Sequence, residues 1–196
     1  MIRIFFDTET TGLAPKGDLL ENFRNFPHIV QIAWIIDDTT TGNFKGRQHF
    51  IKPDGWTVPE EAEAVHGYST EHCAQYGRDF AQVARWFLDD CRKANLIIAH
   101  NIQFDARVFL ANCIREWGKE SFDQLRDIFK PNRLFCTMTS TTDFCKIPGY
   151  YGKYKWPKLE ELYMKCFNDT FDAHDAQADT MALYKCYGYL IERKII

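Results

Sequence analysis

Apolar residues along this chain recur at two different spacings, and the change from one to the other marks out its elements. Ile2-Arg3-Ile4-Phe5-Phe6-Asp7 opens the sequence as a strand. Ile29 to Ile36 (Ile-Val-Gln-Ile-Ala-Trp-Ile-Ile) is a second apolar run rich in β-branched residues. It breaks at the turn cluster Asp37 to Gly42, after which Arg47 to Lys52 reads as its hairpin partner. From Asp79 to Lys93 the period becomes helical, with Phe80, Val83, Ala84, Phe87, Leu88 and Cys91 on one face. Leu96 to Ala99 is short and apolar between polar flanks, as a strand covered on both faces would be. Helices are predicted over Phe104–Glu116, Lys158–Cys166 and Ala176–Ile191, and a short strand over Arg133–Cys136. An early hairpin followed by strand–helix alternation predicts an α/β fold, a sheet of mixed direction with helices on its faces. No repeat or linker-like stretch interrupts the pattern, so residues 1–196 are expected to form a single domain.

Composition narrows the function classes more than the fold. A chain of 196 residues is the size of one ordinary domain, and 45% hydrophobic with 15% aromatic residues excludes a disordered or fibrous chain. The net charge of -3 gives no bulk signature of a nucleic-acid or membrane binder. Seven scattered Cys with no C-x-x-C pair argue against a zinc knuckle or a disulfide framework and fit a reducing compartment. An acid at position 7 comes too early for a signal peptide, and no apolar run approaches the ~18 residues of a membrane span. A cytoplasmic location without membrane association is the expectation.

The informative residues are carboxylates in apolar settings. Asp7 and Glu9 lie two apart on a predicted strand, so their side chains share a face. Glu61 and Glu63 have the same spacing, which makes the pair alone weak. The next residues, Thr10-Thr11-Gly12, form a polar turn whose glycine permits close backbone approach to a ligand. Asp105 opens a predicted helix with Val108 and Phe109 one turn on, which puts it on an apolar face; an acid in a first turn also suits the helix dipole. Asp179 heads a stripe of Ala182, Leu183, Cys186 and Leu190, with no Lys or Arg one turn to either side. A buried carboxylate without a partner is costly, so Asp179 calls for a cation or a distant Arg. His174 stands five residues before it, and Asp175 reads as the helix N-cap. Four inward carboxylates and a histidine at element ends describe a site for hard divalent cations, Mg²⁺ or Mn²⁺.

Three motifs in this order, Phe6-Asp7-Thr8-Glu9-Thr10-Thr11-Gly12, His100-Asn101-x-x-Phe104-Asp105 and His174-x-x-x-x-Asp179, resemble those of the DnaQ-like (DEDDh) 3′–5′ exonucleases. A fourth stretch, Val58-Pro59-Glu60 through Val65-His66-Gly67-Tyr68, is similar to the segment near the substrate's 3′ end in many members. The tyrosine-bearing sister group has its tyrosine four residues before the last Asp; Asp175 stands there in this chain, and His174 fills the histidine slot. The resemblance implies an RNase H-like fold with a five-stranded mixed sheet, and a two-metal mechanism with two Mg²⁺ ions, Mn²⁺ substituting. It assigns Asp7, Glu9 and Asp179 to the metal that carries the attacking water, Asp7 and Asp105 to the second, and His174 to the general base. It further implies that main chain around Thr10, Thr11 and Gly12 holds the terminal nucleotide, that Leu13 wedges against its base, and that His66, Asn101 and Phe104 contact it.

The first motif looks more like that of the DNA-directed members, so single-stranded DNA is the expected substrate, with 5′-mononucleotides as product. The same chemistry on RNA or short oligonucleotides is the alternative, because 2′-OH contacts are local details. A non-catalytic binding module on this fold is disfavoured, since all five residues are present. No stretch suited to docking a polymerase is evident, and a standalone nuclease is expected. Tyr150 to Trp156 interleaves aromatic and basic residues as single-strand-binding surfaces do, while a packing loop explains the same pattern equally well. With metal reversing the local sign and no long basic track, weak, salt-tolerant, distributive binding is expected.

Overall fold

The strand that opens the sequence, β1 (Ile2–Thr10), lies at the centre of the molecule in the computed structural model, which describes residues 1–196. One edge pairs antiparallel with β2 (Ile29–Asp38), which pairs antiparallel with β3 (Asn43–Phe50). The other edge pairs parallel with β4 (Leu96–Ala99), which pairs parallel with β5 (Leu134–Cys136). The result is a five-stranded mixed sheet of order β3-β2-β1-β4-β5. In chain order the helices are α1 (Leu19–Asn22), α2 (Glu60–His66), α3 (Thr70–Tyr76), α4 (Phe80–Lys93), α5 (Ile102–Trp117), α6 (Phe122–Ile128), α7 (Thr137–Ser140), α8 (Thr142–Cys145), α9 (Leu159–Phe167) and α10 (Ala176–Glu192).

The side-chain alternation of β1 divides the core. Ile4 and Phe6 join a cluster that includes Trp34, Phe87 and Phe109 beneath α4 and α5. Phe5 points the other way and joins Ile98, Leu162, Leu183 and Tyr187 beneath α9 and α10. A central strand covered on both faces has no exposed side, which is why Ile4, Phe5 and Phe6 are all fully buried. Six of the seven cysteines are buried, none is paired, and Cys136 at the end of β5 is half-buried.

Several element bounds depart from the sequence expectation for identifiable reasons. β1 runs three residues beyond Asp7, because its ladder to β2 continues through Thr8↔Ile32 and Glu9↔Gln31 before a shift at Glu9/Thr10. The acids are thus held within a strand and do not hang from its end. β3 starts at Asn43 and not Arg47; its first four residues, Asn43 to Gly46, are exposed on a sheet edge and carry no alternating apolar signal. α5 begins at Ile102, two residues early, with Asn101 in a left-handed conformation (φ 79°) ahead of it. The short helices α2, α3 and α6 carry few buried residues each and were not expected from periodicity. No helix is long and apolar enough to cross a membrane.

Candidate active site

The C-terminal half of β1 gathers acids from both faces of the sheet. Asp7 and Glu9 project toward α10, and Asp179, 9% exposed in the first turn of α10, faces them. The stripe that follows Asp179, namely Ala182, Leu183, Cys186 and Leu190, is buried as its spacing predicts. Ligand atoms of Glu9, His174 and Asp179 all lie within 4.8 Å of one another. Asp105 approaches from the α5 side: it is 3% exposed, and its Oδ1 accepts a 2.8 Å hydrogen bond from the Thr8 hydroxyl. Thr8 alternates with Asp7 and Glu9 along the strand, so one threonine ties the acid of one face to the strand that carries the others.

His174 sits in the turn before α10 with a left-handed backbone (φ 71°) and an exposed ring. Its N–H donates to Asp179 Oδ2 at 3.2 Å, and its Nε2 lies 4.0 Å from Glu160 Oε1 at the start of α9. The left-handed turn sends the chain into α10 while keeping the imidazole at the rim of the carboxylate cluster.

The electrostatics of the cluster are those of charge without compensation. Burial, reinforced by Asp105, Asp179 and Glu9, pushes Asp7 well above the ordinary carboxylate range. Burial likewise raises Glu9 to about 7, with Asp175 adding to it. Asp105 is pushed up to about 7, again by burial, against the opposing hydrogen bond from Thr8. Asp179 is raised to about 7 by burial and by Glu9. None of the four forms an ion pair with Lys or Arg. An oxygen-rich donor set with a single imidazole nitrogen fits hard divalent ions, which would supply the missing positive charge.

Asp175, four residues before Asp179, behaves in the opposite way. Its Oδ1 caps α10 by accepting from the Ala178 N–H at 2.9 Å, as expected from the sequence. Its Oδ2 accepts from Gln31 Nε2 at 2.8 Å and from the Tyr68 hydroxyl. Burial opposes ionisation here too, but the hydrogen bonds from Tyr68, Gln31 and the Ala178 and Gln177 N–H groups outweigh it and hold the carboxyl below its usual range. Gln31 is fully buried; its Oε1 also accepts from the Ala176 N–H at 2.7 Å, so β2 grips the start of α10 through one side chain. Gln31 pairs with Glu9 across the β1–β2 ladder, which aligns the α10 terminus with the acids of β1. Neither Gln31 nor this function of Tyr68 was singled out from the sequence. The signal was present: a lone amide inside an apolar strand must find partners, because buried polar groups are hydrogen-bonded.

The remaining residues singled out in the sequence fall into two groups. Thr10 ends β1 and is buried, and Thr11, Gly12 and Leu13 lead the chain from it toward solvent. The Thr10 hydroxyl donates to the Gly12 carbonyl at 2.7 Å, the Thr11 hydroxyl accepts from the His28 N–H at 2.9 Å, and Leu13 is 90% exposed. Gly12 adopts φ 156° with open space where a side chain would be. His66, Asn101 and Phe104 are more constrained. His66 is buried at the end of α2, stacked on Tyr68 with its Nδ1 accepting from the Tyr68 N–H, and its Nε2 has no partner. The Asn101 side chain makes no capping bond, and Phe104 packs partly on the larger core cluster. His100, part of the second motif, is structural: Nδ1 lies 3.0 Å from the Thr137 hydroxyl and Nε2 2.9 Å from the Pro157 carbonyl. A cleft of about 570 Å³ lined by His28, Trp56 and Arg115 among others contains none of the four site acids Asp7, Glu9, Asp105 and Asp179.

The chain belongs to the Exonuclease family of the RNase T type, which it matches over residues 4–187. That family is of the DnaQ-like group, whose RNase H-like fold the sheet order of this chain displays. It is 26% identical over 157 residues to the uncharacterized exonuclease CP81 of Escherichia phage 186, covering 80% of this chain and 71% of that protein. Among solved structures it is similar to E. coli exonuclease I in complex with a dA16 oligonucleotide (TM-score 0.71, 19% identity, 99% of this chain and 42% of that one). It also resembles the zinc-bound form of the E. coli exonuclease I–ssDNA complex (TM-score 0.72, 19% identity, 98% of this chain and 41% of that one). A third is exonuclease I of Methylocaldum szegediense (TM-score 0.69, 20% identity, 98% and 41%). The chain thus spans about two fifths of the length of these exonuclease I structures.

Proposed function

We propose that residues 1–196 act as one metal-dependent 3′–5′ exonuclease unit of the DEDDh type, releasing 5′-mononucleotides from single-stranded DNA. The observation that carries this reading is the set of four carboxylates, Asp7, Glu9, Asp105 and Asp179, raised by burial and mutual repulsion with no cation beside them. On this reading these four would hold two Mg²⁺ ions, with Mn²⁺ able to substitute. When bound, such ions supply charge neutralisation at the phosphate and a nucleophilic water.

The chain's own groups account for the rest. His174, with its imidazole exposed at the rim of the cluster, is placed to take the proton of the attacking water. Glu160, 4.0 Å from His174 Nε2, is placed to steady the imidazolium that forms. The Gln31–Asp175–Tyr68 network holds the turn that carries His174, so the base keeps its position while charge changes around it. Thr10 to Gly12 offer main-chain groups to the terminal nucleotide, and exposed Leu13 offers an apolar surface to its base. On the same reading His66, Asn101 and Phe104 would complete the grip on the terminal nucleotide. The seven unpaired thiols suit a reducing compartment, which supports a cytoplasmic location.

Incubation with Mg²⁺ and 5′-labelled single-stranded DNA, duplex DNA or RNA tests the reading. A ladder shortening from the 3′ end, fastest on single-stranded DNA and abolished by chelation, is expected. A faster ladder on RNA replaces the substrate assignment. No shortening with any substrate and either metal overturns the proposal.

A further inference from the structure

The segment between α8 and α9 resolves the ambiguity of its aromatic-and-basic pattern. Tyr150 is 90% exposed, Tyr151 101%, Trp156 63% and Tyr154 46%, so these rings do not pack and the packing-loop reading is set aside. Exposed aromatics of this size carry a large apolar area into water, at a cost a folded chain normally avoids. The segment is nevertheless shaped. It folds back on itself through a bridge between Pro148 and Tyr154, with the Gly149 N–H donating to Lys153 O at 2.8 Å and the Lys155 N–H to Ile147 O at 3.0 Å. Its tip is tight, with Tyr151 at φ 55° and Gly152 at φ 72°. Its base is anchored by the Lys155–Glu161 ion pair at 2.6 Å and by the Pro157 carbonyl 2.9 Å from His100 Nε2.

Those anchors fix where the base of the hairpin is. His100 directly precedes Asn101 and the helix that carries Asp105. Glu160, four residues after Trp156, lies 4.0 Å from His174. The base of the hairpin, with Trp156 between the two anchoring residues, therefore stands at the rim of the carboxylate cluster. Its charge is also distinct from that of the whole chain: Lys146, Lys153, Lys155 and Lys158 fall within thirteen residues that hold no acid, in a protein of net charge -3.

We propose that the hairpin 146–158 is a stacking platform for the unpaired bases that lie 5′ of the nucleotide being removed. The proposal rests on the exonuclease reading above and adds to it the part of the substrate upstream of the scissile bond. Exposed ring faces beside ammonium groups match a single strand, which offers bases to stack and phosphates to pair. Paired bases present no free face to such rings, so the hairpin selects for single strands. A protein partner is the competing occupant, and the test separates the two.

Three measurements on the full chain decide it. The first is fluorescence anisotropy with 5′-fluorescein-labelled dT12 in EDTA, which needs no activity. The triple variant Tyr150→Ala, Tyr151→Ala, Trp156→Ala is expected to raise Kd at least about tenfold, the lower range for losing base–aromatic stacking. Trp156→Phe in an otherwise intact chain should keep Kd within about threefold, because a stacking face remains. The second is kinetics with Mg²⁺: the triple variant should raise KM for dT12 with kcat unchanged, while KM for the dinucleotide dT2 stays at the wild-type value. The third is binding of a blunt 12-base-pair duplex, expected to be unchanged. An unaltered Kd for dT12, or equal losses for dT2, dT12 and duplex, overturns the platform and leaves the hairpin to a protein partner. If wild type degrades no strand at all, the exonuclease reading fails, and the anisotropy result still judges the platform separately. The substituted side chains are exposed, so an unchanged far-UV spectrum is expected for each variant.

Discussion

The face of the sheet beneath α4 and α5 buries a cluster of 28 hydrophobic residues, while the face beneath α9 and α10 buries 13. The larger cluster centres on aromatics packed edge-to-face or tilted: Phe87 lies 5.1 Å from Phe6, 5.3 Å from Trp34 and 4.8 Å from Phe109, centroid to centroid. Its one site acid, Asp105, is tied down by Thr8. The smaller face holds the other three acids and an exposed histidine on a left-handed turn. One face thus supplies rigidity, and the other carries charge that costs stability until something neutralises it. The lesson is that a site of uncompensated carboxylates needs a stiff platform behind it, and here the two sides of one central strand divide those duties.

Four experiments break or sharpen this contrast. Asp179→Asn should lower hydrolysis of a labelled strand by ~10³-fold or more, as expected when ligation and transition-state charge stabilisation are lost together. The metal-free melting temperature should hold or rise, because a costly buried charge is gone. A marked fall in melting temperature would assign Asp179 to the scaffold and dissolve the contrast. His174→Ala should reduce turnover by about 10²–10⁴-fold, the usual worth of a positioned base. Stabilisation by added Mg²⁺, followed by thermal melting, should persist in that variant.

On the opposite face, Phe109→Ala should cost about 3–5 kcal/mol in denaturant titration. Leu162→Ala, in the smaller cluster, should fall at the low end of about 2–5 kcal/mol. Equal losses would mean that the two faces do not differ in stiffness. The last test is the pH dependence of the metal-free protein. Glu9, Asp105 and Asp179 have folded pKa values near 7, above their unfolded values near 4, so the native state binds more protons between those limits. Stability must then fall as pH rises from about 4 to about 7. Saturating Mg²⁺ should flatten that slope; a slope of opposite sign in EDTA would remove the uncompensated-charge account.

The parts of this molecule legible in the sequence are those whose signal is local. β4 was read to the residue, and α4, α9 and α10 to within one, because strong apolar periodicity marks them. The site acids stood out as charges heading apolar stripes. What escaped depends on partners far away in the chain: Thr8 meets Asp105 across 97 positions, and Gln31 meets Asp175 across 144. The first half of β3 escaped because an exposed edge strand has no apolar face to announce it. The hairpin at 146–158 was visible as composition, but only its exposure separates a platform from a packing loop.

The distribution of thiols gives the molecule a set of built-in position markers. Cys91 and Cys113 belong to the larger cluster, Cys145, Cys166 and Cys186 to the smaller one, and Cys73 to a third small cluster near α3. Only Cys136, half-buried, is accessible to a maleimide in the folded state. Mass spectrometry of a timed alkylation should therefore record one fast adduct, then adducts whose order of appearance maps which side of the sheet opens first. The three on the α9–α10 side are expected to react before Cys91 and Cys113, and bound Mg²⁺ should delay those three most. Without a single substitution, the chain can chart its own local breathing.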